Sequence, residues 1–154
     1  MGKKSVKENK NMYYVYREKM GYTREQASEK MQFISASRIE KIDNEKSLPH
    51  PEEVLEMSRC YNAPEMCNLY CANECPIGRE TVTEVEVKDI SKLTLEMIVS
   101  LNSLEKDKER LMEIAVDGKI TEEELADFNA IRRKLSEIAA EIDSLELWTK
   151  KNVE

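Results

Sequence analysis

The sequence has few of the residues that build β structure or interrupt helices. Only 6% of its 154 residues are aromatic, and it contains four glycines and four prolines. This scarcity disfavours a β sandwich or barrel, which needs many turns and half-buried strands. Charged residues make up 36% of the chain, a share that fits exposed helix surfaces. We therefore predict an all-α protein.

A long apolar run is also missing. No stretch approaches the length that a membrane-spanning helix needs, and residues 1–5 contain no apolar signal region. These absences predict a soluble, cytoplasmic protein without a membrane partner.

The sequence lacks the motifs of common catalytic sites. It has no glycine-rich phosphate-binding loop, no HExxH motif, and no serine or cysteine with a plausible histidine base. Its one histidine, His50, lies between two prolines and is predicted to be a loop residue. We therefore expect a binding protein rather than an enzyme.

The net charge of −7 is unevenly distributed. Residues 1–50 hold 11 lysines and arginines against 7 acidic residues, a net +4, which leaves −11 for the rest. A basic N-terminal part followed by an acidic remainder fits a protein that binds the phosphates of DNA with its N-terminal part only. An acidic second half would also keep the protein soluble and limit non-specific DNA binding.

Residues 23–46 have the pattern of two short helices joined by a tight turn. Thr23 can cap the first helix, and Gln26 completes a capping box. A break follows at residues 32–33, and Ser35 can cap the second helix. Two helices joined in this way form the unit that places a helix in the DNA major groove.

Further helices are predicted on both sides of this unit. One covers roughly Glu8 to Met20 and ends at Gly21, while Pro51 and Pro64 each begin a later helix. These signals predict five helices over residues 1–78. The residues predicted to face the core are Ala27, Met31, Ile39, Ile42, Val54, Leu55, Met57 and Tyr61.

The first half of the chain resembles the Cro and lambda-repressor-type helix-turn-helix family, often called the xenobiotic-response-element family. The matching pieces are Gly21-Tyr22-Thr23, Glu29-Lys30-Met31, Ile39, Ile42-Asp43-Asn44, Lys46 and Pro49. The chain departs from the family pattern at three places. The family usually has alanine where this chain has Ser28, glycine at the turn where this chain has Gln32 and one residue more, and glycine after the recognition helix where this chain has Glu45. The resemblance implies a five-helix repressor-type domain in a sequence-specific, double-stranded-DNA-binding transcriptional regulator, a bacterial or mobile-element repressor.

The resemblance also implies which residues meet DNA. Arg24, the first residue after the helix cap, is expected near a phosphate. Lys41 can donate to guanine O6 or N7, and Ser37 can pair with several base edges. Glu40 is expected to pair with a neighbouring lysine or arginine. The complete set implied for DNA binding is Arg24, Ser35, Ala36, Ser37, Arg38, Lys41, Asn44 and Lys46.

Four cysteines lie close together in the sequence: Cys60, Cys67, Cys71 and Cys75. The last three are spaced i, i+4 and i+8, which places them along one face of a helix. Four thiolates would suit zinc or an iron–sulfur cluster, and such a site would make the protein a metal- or redox-sensing regulator. The alternative is plain packing, because cysteine is among the most buried residue types.

Residues 79–88 are predicted to be an extended linker or a poor helix start, and residues 89–154 an antiparallel hairpin of two long helices. Apolar residues recur every seven positions on both arms, as at Ile90 and Met97 in the first and Leu135 and Ile142 in the second, and Leu101 is predicted to share the apolar face of the first arm. Thr121 and Glu124 are predicted to cap the second arm.

This hairpin is predicted to form a homodimer. The apolar residues beyond the main stripes are Leu95, Leu125, Leu147 and Trp148. The alternatives are a hairpin that folds back on its own helix-turn-helix domain and leaves a monomer, or an interaction scaffold whose helix-turn-helix is vestigial.

Overall fold

The computed structural model describes residues 10–153, and within that range the chain forms helices and no strand. The prediction of an all-α protein is confirmed. The helices are α1 Met12–Lys19, α2 Arg24–Met31, α3 Ala36–Asp43, α4 Pro51–Cys60, α5 Glu65–Asn73, α6 Gly78–Thr81, α7 Ile90–Ala115 and α8 Leu125–Asn152. The chain divides between Val82 and Thr83 into two compact units.

The first unit has a core built by α1 to α5. Its buried residues are Tyr13, Ala27, Met31, Ile34, Ile39, Ile42, Val54, Met57, Tyr61, Ala63 and Met66. Seven of the eight predicted core residues are among them. The prediction was wrong for Leu55, which is exposed, because it follows the buried Val54 and therefore points about 100° away around the helix.

Local chemistry sets the helix starts. The Thr23 Oγ1 accepts from the Gln26 backbone N at 3.2 Å, and the Thr23 N donates to Gln26 Oε1 at 2.9 Å. Ser35 caps α3, and Pro51 occupies the first turn of α4. These starts are as predicted. The predicted start of the first helix, at Glu8, lies outside the described residues, and the described helix begins at Met12 with Asn11 as its cap.

Helix α3 ends in a tight C-terminal turn. The Lys46 N donates to the Lys41 carbonyl at 2.8 Å, and the Glu45 N donates to the Ile42 carbonyl at 3.0 Å. This pattern is a Schellman motif, which needs a residue with positive φ. Gly21 fills that position after α1 with φ of 70°, but after α3 the position is filled by Glu45 with φ of 58°.

Replacing Glu45 with glycine is therefore expected to stabilise the protein by about 1 kcal/mol, because glycine has no Cβ to strain in this conformation. Gly21→Ala is the matched control at the same position of the same motif, and it should destabilise by a similar amount. Chemical denaturation measures both. Destabilisation by Glu45→Gly would contradict this account of the turn.

The second unit is a pair of long antiparallel helices, as predicted. Ser100 donates to Glu141 at 2.7 Å, Lys134 pairs with Asp107, and Arg110 pairs with Asp127 at 2.8 Å. Partner numbers that rise along α7 fall along α8, so the helices run in opposite directions. Gly118, with φ of 71°, lies in the connection.

The apolar seam of this hairpin is shallower than the heptads predict. Leu93, Ile114 and Ile131 are buried, but Leu101 and Ile142 are half exposed. Two helices alone cover only a narrow stripe of each other, so residues at its margins stay in contact with water. Two of the four residues that we expected beyond the stripes are exposed, Leu95 and Leu125, whereas Leu147 is buried and Trp148 partly buried.

The start of the second long helix differs from the prediction. Glu124 accepts from the Thr121 N at 3.0 Å and from its hydroxyl at 2.8 Å. However, Thr121 caps no backbone N–H, and α8 begins only at Leu125. The bonds form a turn before the helix rather than a capping box.

The predicted linker, residues 79–88, has two parts. Residues up to Thr81 belong to α6, and residues 82–88 have no regular secondary structure. Val85 is nevertheless buried, and it lines a cleft together with Ala140 and Ser144 of α8. Part of the segment therefore packs within the second unit. Across the described residues, no helix combines the length and the apolar character needed to cross a membrane.

Candidate nucleic-acid interface

Helix α3 has a buried face and an exposed face. Ile39, Ile42 and Asp43 are buried and fix the helix against the rest of the first unit. The other side of the helix presents Ser37 and Lys41, which are exposed, along with the exposed Glu40 and the half-buried Asn44. Positions i, i+3, i+4 and i+7 lie on one side of a helix, so these four residues form a single surface, the α3 outer face.

Lys41 and Lys46 are the free cations near this face. Both are exposed, and neither side chain forms a hydrogen bond or ion pair with any residue in the described part of the chain. Their ammonium groups are therefore available to an external anion. Ser35 and Ala36 contribute less, because the Ser35 hydroxyl already accepts from the Arg38 N at 3.2 Å and Ala36 is half-buried.

Arg38 is held by other residues of the first unit, although its side chain is partly exposed. It donates to both carboxylate oxygens of Glu53 at 2.7 Å, to the Ser47 hydroxyl at 2.5 Å and to the Leu48 carbonyl at 2.9 Å. The bond from Arg38 is the main reason that the pKa of Glu53 lies below its ordinary value. Four of the five guanidinium N–H groups are thus engaged. This arrangement favours a structural role for Arg38, joining α3 to α4, over a contact with bases.

Arg24 is oriented by a buried carboxylate. Its Nε donates to Asp43 Oδ2 at 3.0 Å, while its two terminal nitrogens make no bond to any residue between 10 and 153. The side chain is partly exposed at the first position of α2. A guanidinium held in this way at a helix N-terminus is well placed for an anion.

The Asp43 carboxylate also forms a buried ion pair that was not predicted from the sequence. Arg17 donates to Asp43 Oδ2 through Nε at 3.2 Å and through Nη2 at 2.9 Å, and the two side chains are only 4% and 1% exposed. Arg17 also donates to the Tyr22 carbonyl at 2.6 Å. A signal was present in the sequence, since Asp43 lies four residues after the inward-facing Ile39 and therefore on the same side of α3, and a buried carboxylate requires a cation.

Glu40 does not behave as predicted. We expected it to pair with a neighbouring lysine or arginine, but it makes no ion pair with any residue that the structure describes. An unpaired carboxylate on the α3 outer face repels phosphate, and it would act against binding to DNA of arbitrary sequence.

The four cysteines are unpaired and half-buried. The Cys67 thiol donates to the Ser58 hydroxyl at 3.3 Å. Burial raises the pKa of the Cys60 and Cys71 thiols, and the neighbouring Cys75 and Cys67 raise that of Cys71 further. A bound metal would have to displace the proton from each of these thiols, because cysteine binds metal as the thiolate. Nowhere in residues 10–153 do three His, Cys, Asp or Glu side chains gather as a metal site requires.

Comparisons of the chain with protein families, with curated proteins and with solved structures find no match. A functional site can therefore be assigned only from the residues of the chain itself. The strongest candidate is the α3 outer face, with Lys41 and Lys46 as free cations and Arg24 as an oriented one.

Proposed function

We propose that the protein is a sequence-specific DNA-binding transcriptional regulator whose α3 enters the major groove of double-stranded DNA. The observation that carries this proposal is the two-sided character of α3. Its inner face is fixed by Ile39, Ile42 and Asp43, and its outer face presents the exposed Ser37 and the unpaired Lys41. A rigidly held helix with free polar side chains is what direct reading of base edges requires.

The backbone around α3 supports the same proposal. The Phe33 N donates to the Met31 carbonyl at 2.7 Å across Gln32, which has φ of 61°. Glu45, after α3, also has positive φ. These are the two positions where the helix-turn-helix family that the sequence resembles usually has glycine, the residue that adopts positive φ most readily. The positive φ angles at Gln32 and Glu45 support the proposal, because they are the backbone conformation that glycine adopts most readily.

The contacts within the first unit suggest different roles for its cations. Lys41 would donate to guanine O6 or N7, while Arg24 and Lys46 would meet phosphates. Arg38 would hold α3 in place through Glu53. By resemblance to the repressor family, we propose a cytoplasmic bacterial or mobile-element repressor that binds two-fold sites as a homodimer.

Two alanine variants distinguish a residue that contacts phosphate from a residue that recognises a base. Arg24→Ala should weaken binding to all duplexes alike and reduce the slope of log affinity against log salt by roughly 0.9, because one phosphate contact is lost. Lys41→Ala should cost about 1–3 kcal/mol of discrimination at one base position and relax the preference there. Selection from random duplexes, followed by salt titration of the selected site, measures both effects.

Lys108→Ala is the matched control, since it removes an exposed lysine from the second unit and leaves the first unit unchanged. It should leave the sequence preference unchanged. If Lys41→Ala and Lys108→Ala changed the sequence preference equally, α3 would not be the helix that recognises the bases. Failure of the intact chain to bind any duplex would leave the alternative of an interaction scaffold with a vestigial helix-turn-helix.

The alternative of a metal- or redox-sensing regulator stays a prediction that nothing in the described geometry favours. It requires about one zinc ion or one cluster per chain in protein prepared without oxygen. The packing account requires four titratable thiols, at Cys60, Cys67, Cys71 and Cys75, and no bound metal.

A further inference from the structure

Glu40 is an exposed carboxylate on the α3 outer face, and no cation in the described part of the chain pairs with it. Side chains that meet on a helix surface are three or four residues apart. The residues at those positions are Ala36, Ser37, Asp43 and Asn44. None of them is a cation. Lys41, the next residue, points about 100° away around the helix and does not face Glu40.

The acids that hold α3 in place are other residues. Asp43 pairs with the buried Arg17 inside the first unit. Glu53 pairs with Arg38 and joins α4 to α3. Glu40 forms no such bond with any residue between 10 and 153, so its carboxylate oxygens remain available to a donor on another molecule.

The proposed function limits what Glu40 can contact. A helix about 10–12 Å across fills the major groove, which is about 12 Å wide. A side chain on the outer face of an inserted helix therefore lies against either the phosphates or the base edges. Phosphates repel a carboxylate. The favourable contact for Glu40 is a base edge that donates a hydrogen bond.

Only cytosine and adenine have a donor on their major-groove edge, the N4 and N6 amino groups respectively. Guanine O6 and N7 and thymine O4 accept hydrogen bonds and would repel a carboxylate. Adenine has its N7 acceptor beside its amino group, an edge that suits the amide of asparagine or glutamine, which both donates and accepts. Cytosine presents a donor without a neighbouring acceptor of its own, so it is the base that matches Glu40.

We infer that Glu40 is a specificity-determining residue that accepts a hydrogen bond from the N4 amino group of a cytosine in the major groove. The inference rests on the proposed function, and it adds a second base contact to that of Lys41. A guanine–cytosine pair presents acceptors on guanine and a donor on cytosine, so it offers a partner to each of these two residues. The carboxylate also increases discrimination by repulsion, because it is unfavourable beside phosphates and beside bases that only accept.

Glu40→Ala should change specific and non-specific binding in opposite directions. Affinity for the duplex selected by the intact chain should fall at least about 5-fold, and a new selection from random duplexes should lose a cytosine preference at one position. Affinity for a duplex of unrelated sequence should rise by about 2- to 5-fold at low salt, because a negative charge no longer approaches the phosphates. A merely structural role for Glu40 would lower both affinities.

A change in the DNA tests the same hydrogen bond. The cytosine is replaced by a pyrimidin-2-one nucleotide, which lacks the 4-amino group. The intact chain should lose about 5-fold or more in affinity, whereas Glu40→Ala should lose much less, because its acceptor is already absent. The weaker base pairing of the analogue affects both proteins alike, so the difference between the two losses measures the contact itself.

Glu29→Ala is the matched control. Glu29 is also exposed and forms no ion pair with any residue that the structure describes, but it lies on α2. Its removal should leave the ratio of specific to non-specific affinity unchanged. Circular dichroism checks that both variants remain helical.

The outcomes separate this inference from the proposed function. If the intact chain binds a selected duplex in which no cytosine preference depends on Glu40, or if both proteins lose equal affinity for the pyrimidin-2-one duplex, Glu40 does not recognise cytosine and the proposed function stands. Equal effects of Glu40→Ala and Glu29→Ala on the affinity ratio would have the same meaning. If the intact chain binds no duplex at all, the proposed function and this inference are both wrong.

Discussion

Replacing Asp43 with alanine is expected to lower the free energy of unfolding of the first unit by about 3–5 kcal/mol. The change would leave the Arg17 guanidinium buried without its main counter-charge, and removing one partner of a buried ion pair carries that cost. It would also release Arg24, whose Nε loses its acceptor. Chemical denaturation followed by far-ultraviolet circular dichroism measures the loss.

Glu40→Ala is the matched control, because it removes an exposed, unpaired carboxylate from the same helix. It should change stability by no more than about 0.5 kcal/mol. The double variant Arg17→Met, Asp43→Leu replaces the pair with apolar side chains and should recover much of the stability lost in Asp43→Ala. A loss of less than about 1 kcal/mol in Asp43→Ala would contradict the buried pair.

Gly78→Ala is expected to destabilise the first unit by about 1–3 kcal/mol or more. A Cβ at Gly78 would fall far inside the contact distance of the Cys71 carbonyl group. That group belongs to the backbone of α5 and cannot turn aside as a flexible side chain can. The short helix α6, which packs against α5, would have to move, and the bond from the Gly78 N to the Cys75 sulfur would be lost.

Gly118→Ala measures the cost of an unfavourable backbone conformation without the cost of a steric clash. Gly118 has φ of 71° but nothing within 4 Å of an added Cβ, so alanine there should cost only about 1 kcal/mol. At Gly78 the situation is reversed, because φ is not positive but an added Cβ would clash with the Cys71 backbone. Denaturation of the two variants compares these costs, and equal, small losses would contradict close packing of α6 on α5.

Signals contained in a few adjacent residues predicted much of the fold. The Thr23 and Gln26 pair, Ser35 and Pro51 each mark a helix start that the structure confirms. Gly21 marks the end of α1. These features depend on hydrogen bonds between neighbours in sequence, so the residue types alone reveal them.

Features that depend on distant partners could not be predicted in the same way. Arg24, Arg38 and Lys41 have the same charge in the sequence, but Arg38 is held by Glu53, Arg24 by Asp43, and Lys41 by no described residue. Which cations remain free depends on where the acids of other helices lie. The exposure of Leu101 has a similar origin, since the width of the buried stripe depends on how two arms pack.

Equilibrium binding of the intact chain to a selected duplex, measured at several salt concentrations, decides whether the first unit binds DNA through α3. We expect log affinity to fall linearly with log salt, with a slope of roughly −0.9 for each phosphate contacted. We also expect Lys41→Ala to change the preferred sequence. If the intact chain binds no duplex at about 50 mM salt, where phosphate contacts are strong, the first unit does not bind DNA through α3.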